Sequence, residues 1–259
     1  MREPIKKTLR ALKSFSRFPK SAAAAVLDRD FAERCRLPEL SPELARRIYS
    51  WPVVLPPLVN LHDGTQDLPG LVSLLAIAKA IDAQRVFEIG TFTGVTTLAL
   101  ALNLPHATIH TLDLPTQAKG SLRIDTDDAK YMPDHAVRRV FTDWTKAAAR
   151  IVQHEADSAK FAFEKLGPQF DLVYVDGAHS YEYVRNDTEA AFRIVAADGA
   201  IVWDDYSRFW PGVAAYLDTE SRPATYCLPG IPRRLAVWFG DLRRIRAGCD
   251  AFCGPAATN

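Results

Sequence analysis

A chain of 259 residues, 48% hydrophobic and 24% charged, with no low-complexity tract and no run of eighteen apolar residues, can bury a full core and excludes a fibrous or membrane-spanning protein. The net charge of +1 hides an asymmetry: Arg2, Lys6, Lys7, Arg10, Lys13, Arg17 and Lys20 face Glu3 alone, so the rest is net negative and, lacking a basic stripe, disfavours nucleic acid. Cys35, Cys227, Cys249 and Cys253 are too few and scattered for a disulfide framework, and the start lacks a secretory pattern, so a cytoplasmic setting with reduced thiols is expected.

Ile5, Leu9, Leu12 and Phe15 share one helical stripe, which predicts a basic amphipathic helix over 4–18. Two readings stand for residues 1–20: a helix that contacts a membrane surface or a partner, and an extension packed on the body with a solvated charged face. Farther on, Ala22–Leu27 is helical in character, Ser41-Pro42-Glu43-Leu44 starts a helix with proline in its first turn, and Pro52, Pro56 and Pro57 break the chain beyond that helix. Residues 1–66 thus read as a basic helix and a helical cap over one edge of a crevice. His62-Asp63-Gly64-Thr65 is a turn, and Leu71, Leu74, Leu75, Ala78 and Ile81 predict the helix that feeds the next strand.

Val86–Leu98 organises the chain. Val86, Phe87 and Ile89 end a buried strand, Gly90 and Gly94 turn the backbone, and Val95 opens a helix. Unpaired N–H groups of a first helical turn then face the crevice beyond the strand, where α/β sheets hold ligands. A dinucleotide fingerprint needs a second glycine where this loop, after Thr91, has Phe92, so a nicotinamide or flavin dinucleotide is disfavoured. Glu88 is expected at the strand tip, facing a cationic ligand.

This loop resembles the first motif of class I S-adenosylmethionine-dependent methyltransferases, acid-x-Gly-x-x-x-Gly, in Glu88, Gly90 and Gly94. The alternating strand His106–Leu112 ends at Asp113, 25 residues after Glu88 and near the spacing at which an acid reaches ribose hydroxyls. Residues 116–150 form an insertion, helical around 136–151, before a short third strand at Ile151–His154. The resemblance implies an adenine-binding acid after that strand; Asp157, followed by Ser158, is preferred to Asp143 because a short connection then leads to the next strand.

Phe170–Val175 reads as a buried parallel strand ending at Asp176, Ser180 to Val195 as a helix, and Ala200–Trp203 as a fifth strand ending at Asp204-Asp205. Three carboxylates at neighbouring strand ends repel unless a cation joins them, and hard oxygen donors favour Mg²⁺, Mn²⁺ or Ca²⁺ over zinc. Asp176, Asp204 and Asp205 match the metal-ligand pattern of metal-dependent small-molecule O-methyltransferases, and Asp204-Asp205-Tyr206 is similar to the sugar O-methyltransferases of antibiotic biosynthesis. That likeness implies a general base at His179, in the first turn of the following helix, three residues beyond Asp176. Its ordinary pKa of ~6.5 suits a proton acceptor.

Pro211–Leu217 is helical, and Ala224–Leu228 and Leu235–Phe239 are strands around a turn at 229–232, the sixth and the antiparallel seventh of the class I sheet. The expected fold is α/β: a doubly wound, mostly parallel, seven-strand Rossmann-like sheet with an N-terminal helical cap, the catalytic domain at 67–245 and a loose tail at 246–259. The expected function is methyl transfer from S-adenosylmethionine to a hydroxyl of a small molecule, with Mg²⁺ or Mn²⁺ assisting. A nucleotide-cofactor dehydrogenase and a non-catalytic, membrane-recruited binding protein are the alternatives. Sugar, phenol and catechol acceptors, and the oligomeric state, are left open.

Overall fold

Seven strands form a single sheet. A computed structural model describes residues 36–57, 67–115, 122, 139–228 and 234–248. The basic helix at 4–18, the turn at 62–65, most of the 116–150 insertion, the 229–232 turn and the end of the tail lie outside the described residues.

Helix α1 spans Pro42–Tyr49, and Ser41 caps it as expected, its Oγ accepting from Leu44 N at 3.3 Å. Helix α2, Leu68–Ala80, is buried on nearly every side and begins at Asp67, whose Oδ1 accepts from Gly70 N. Tyr49 of α1 meets Ser73 of α2 through their hydroxyls, 3.0 Å apart. Contacts divide the chain between Arg36 and Leu37, so α1 belongs to the same unit as the sheet.

Strand β1 (Arg85–Ile89) leads into α3 (Val95–Asn103), and β2 is Thr108–Asp113. A helix was expected around 136–151. From residue 139 onward the structure has instead a 3-10 turn at Val140–Asp143 and a single turn, α4, at Thr145–Ala148, parted by the non-helical backbone of Trp144. Docking prevails over helix propensity here. Val140 N donates to Thr93 O, and Arg150 donates to the carbonyls of Ala101, Leu104 and Ala107 at the end of α3.

Strand β3 (Ile151–Glu155), β4 (Phe170–Val175) and helix α5 (Tyr181–Ile194) come next. The fifth strand, β5, runs over Val195–Tyr206, far beyond the expected 200–203, because Val195 pairs with Phe170 of β4 at its start and Tyr206 pairs with Arg234 at its end. Helix α6 is Pro211–Glu220, β6 is Thr225–Cys227 and β7 is Arg234–Phe239. The pairs β1·β2, β1·β4, β2·β3 and β4·β5 are parallel, whereas β7 runs antiparallel to β5 and β6.

Alternation along the strands sorts residues between two helical layers. Val86, Ile109, Leu172, Tyr174 and Val202 pack with α2 and α3. On the other face Trp203 Nε1 donates to Thr188 of α5 at 2.8 Å. The strands lie in the order β3-β2-β1-β4-β5-β7-β6, and the order reverses between β1 and β4, where open α/β sheets hold ligands beyond the carboxyl ends of their strands. Among the described residues no helix is long and apolar enough to cross a membrane.

Candidate active site

The loop after β1 is fixed by its neighbours as much as by its own glycines. Gly90 has φ +102°, and a Cβ there would lie 1.9 Å from the carbonyl oxygen of Asp176. Gly90 N donates to Leu112 O, and Asp176 N donates to Ile89 O, so the loop is locked against the ends of β2 and β4. Gly94, at φ +79°, opens α3 with the Phe141 ring 2.7 Å from where a Cβ would sit. Phe92 itself adopts φ +46°.

Glu88 does not face the open crevice as expected. It points, like Val86, into the layer of α2 and α3, is 0% exposed, and Oε2 accepts from Thr97 and Thr111, the latter at 2.6 Å. Thr111 Oγ1 also lies 2.6 Å from that of Thr91. Oε1 is buried without a hydrogen-bond partner, and burial pushes the carboxyl up to about 7.

Asp113 stands at the end of β2. Its Oδ2 accepts from Phe92 N at 2.9 Å and from Arg139 Nη2 at 2.7 Å, and Oδ1 accepts from Leu114 N. Burial raises its pKa despite the guanidinium. Asp157 follows β3 and is buried; its Oδ1 accepts from Tyr183 Oη at 3.0 Å and from Ala159 N at 2.9 Å. Asp143 is exposed in the 3-10 turn before β3. Of the two adenine candidates, Asp157 is therefore the one at the strand's carboxyl end. Ser158 hydrogen bonds to Asp187, a buried acid on α5 that burial raises to about 7.

The third group lies at the ends of β4 and β5. Single donor atoms of Asp176, His179 and Asp205 lie within 4.8 Å of one another, and this trio is the one group among the described residues able to hold a metal ion. Asp204 stands outside the trio yet borders the same crevice, with Asp176, Ala178, His179, Trp203 and Val213. Burial first, then Asp205, raises Asp204 to about 7; burial, Asp204 and Asp205 push Asp176 well above the carboxylate range. Tyr174 donates to Asp176 Oδ2 at 3.0 Å. Such mutual repulsion, with oxygen donors and one imidazole, fits a divalent cation.

His179 precedes the helix instead of occupying its first turn, because Ser180 is the N-cap of α5. Its Nε2 lies 2.9 Å from Asp205 Oδ2, and its ring lies parallel to Trp210, 3.7 Å between centroids with 15° between planes. Asp205 has φ +57°, which turns its side chain out of the strand's alternation. Tyr206 is buried and donates its hydroxyl to Asp218.

Sequence reasoning missed Arg139, Tyr174, Asp187 and Trp210. Asp187 carried a signal, a lone acid on the stripe Val184, Thr188, Ala191 and Ile194 that buries against the sheet. Arg139 and Trp210 carried none, since their partners lie 26 and 31 residues away in the chain.

An α/β sheet with this strand order, a glycine loop at its switch point and acids at four strand ends defines the class I methyltransferase fold. Residues 87–206 match the family model described as a methyltransferase domain. The chain is similar to the SAH-bound methyltransferase PaMTH1 of Podospora anserina at 17% identity and a TM-score of 0.52, over 86% of this chain and 97% of that one. It is also similar to cofactor-bound Rv0187 from MTB at 22% identity and a TM-score of 0.50, over 81% and 92%. No curated protein sequence matches it significantly.

Proposed function

We propose that the protein transfers a methyl group from S-adenosylmethionine to a hydroxyl of a small-molecule acceptor, assisted by a divalent ion. The observation that carries this reading is the convergence of Asp176, His179 and Asp205 beside the glycine loop, with Asp204 on the same crevice, at the ends of two adjacent strands. PaMTH1 is described with SAH, the product of such a donor, which supports the choice of ligand.

In this proposal Gly90, Thr91, Phe92 and Gly94 form the loop against the donor, and Glu88 braces that loop from beneath through Thr97, Thr111 and Thr91. A carboxylate has about four acceptor positions, so Asp113 can take ribose hydroxyls while retaining backbone donors. Asp157 and Ser158 border the adenine. When bound, a divalent ion supplies Lewis acidity that lowers the pKa of an acceptor hydroxyl. The carboxylates at the ends of β4 and β5 supply the charge that draws the ion. The hydroxyl's proton passes to a basic atom of this cluster, the oxygen–carbon bond forms, and the sulfur–carbon bond breaks.

The test is methyl transfer from isotopically labelled donor to a panel of phenols, catechols and sugars, with EDTA and with Mg²⁺ or Mn²⁺ restored. Loss with EDTA, recovery with metal, and failure of Asp205→Ala are expected. Activity that survives both EDTA and Asp205→Ala removes the metal. A protein that neither labels an acceptor nor binds S-adenosylhomocysteine in calorimetry removes the whole reading.

A further inference from the structure

We infer that His179 is a ligand of the divalent ion and not an unligated base, an inference that rests on the metal reading above. Three observations converge on it. The donor atom of His179 belongs with those of Asp176 and Asp205 in the one group close enough to share an ion among the described residues, and Asp204 does not.

The spacing is that of a coordination polyhedron. Two ligands bound at about 2.1 Å and at right angles stand about 3 Å apart. His179 Nε2 and Asp205 Oδ2 are 2.9 Å apart, so the two donor atoms already stand at the spacing that a shared ion requires.

The ring is also held. Trp210 covers one face of the imidazole at 3.7 Å and nearly parallel, which fixes the edge that His179 turns toward Asp205. A fixed edge suits a ligand, whose value depends on preset direction. A set of two carboxylates and one imidazole further implies a preference for later first-row ions over Mg²⁺ and Ca²⁺, because nitrogen donors strengthen along that series.

The experiment loads the full-length protein with Mn²⁺ and records pulsed EPR, then measures Co²⁺ and Mg²⁺ binding by calorimetry for wild type and His179→Ala. A nitrogen hyperfine coupling from a directly bound imidazole is expected, absent in His179→Ala. Co²⁺ affinity falls on the order of 10-fold or more in the variant, and Mg²⁺ affinity falls less. Bound Mn²⁺ without nitrogen coupling in wild type overturns the inference and leaves the metal reading standing, whatever the stability of the variant. Unchanged Co²⁺ affinity in a folded His179→Ala protein overturns it equally. Failure of wild type to bind any of these ions overturns both.

Discussion

Arg139 places Nη2 2.7 Å from Asp113 Oδ2, so the acid expected to hold a ribose is already paired with a guanidinium from within the 116–150 insertion. The pair ties the turn at Val140–Asp143 to the end of β2, while Val140 N and the Phe141 ring hold the same turn against Thr93 and Gly94.

Asp113→Ala should therefore have two separable effects. It removes the ribose acceptor, and it strands Arg139, whose side chain is only 12% exposed, at a cost of about 1–3 kcal/mol. Adding Arg139→Ala should restore much of the stability in urea unfolding but none of the affinity for S-adenosylhomocysteine. Recovery of both would show that Asp113 serves only the ion pair.

Asp187 makes stability depend on pH. Its carboxyl is raised from 3.8 to about 7, chiefly by burial, with Oδ2 unpartnered beside Gly177. A raised pKa means that the folded state holds the proton more tightly. The contribution is full below the unfolded pKa and is lost as pH climbs through about 7. Asp187→Asn should thus gain stability over wild type at pH ~8, by at most a few kcal/mol, and little or none near pH ~4. A wild-type minus variant difference that is flat with pH would refute it.

The glycines of the site should rank by what surrounds them. Gly90→Ala places a Cβ 1.9 Å from backbone that cannot retreat, and should cost more than about 3 kcal/mol or prevent folding. Gly94→Ala meets the Phe141 ring at 2.7 Å and should be severe but milder. Gly167→Ala has open space and only its φ of +70° against it, about 1 kcal/mol. Thermal unfolding of the three variants checks the order.

Tyr174→Phe deletes the donor to Asp176 Oδ2 without changing the packing of a fully buried ring. Mn²⁺ affinity should drop by about 10-fold, as for other partners that orient a ligand from behind, with the melting temperature little changed. Equal affinity would assign the phenol to packing alone.

Much of this protein is legible from local pattern. An apolar run, two glycines and a helical period give β1, its loop and α3, and the apolar runs before Asp113, Asp176 and Asp204-Asp205 place those acids at strand ends. Each of these depends on residues within a few positions of one another, where strand and helix periods are written directly into the chain. The helix expected around 136–151 and the short fifth strand went astray for the converse reason: docking on the glycine loop decided the first, and pairing with β4 at one end and β7 at the other decided the second.

The sequence by itself determined the α/β class, the glycine loop and the set of acids at the sheet's carboxyl edge, because burial pattern and turn chemistry are local. Only the tertiary structure decided that Glu88 is enclosed, that Gly90 is required by the Asp176 carbonyl, that Asp113 carries Arg139, and that His179 meets Asp205 and Trp210. Those relations join strands, loops and helices far apart in the chain. Side chains so separated meet only once the sheet has set the register of β1, β4 and β5, and no local propensity specifies that meeting.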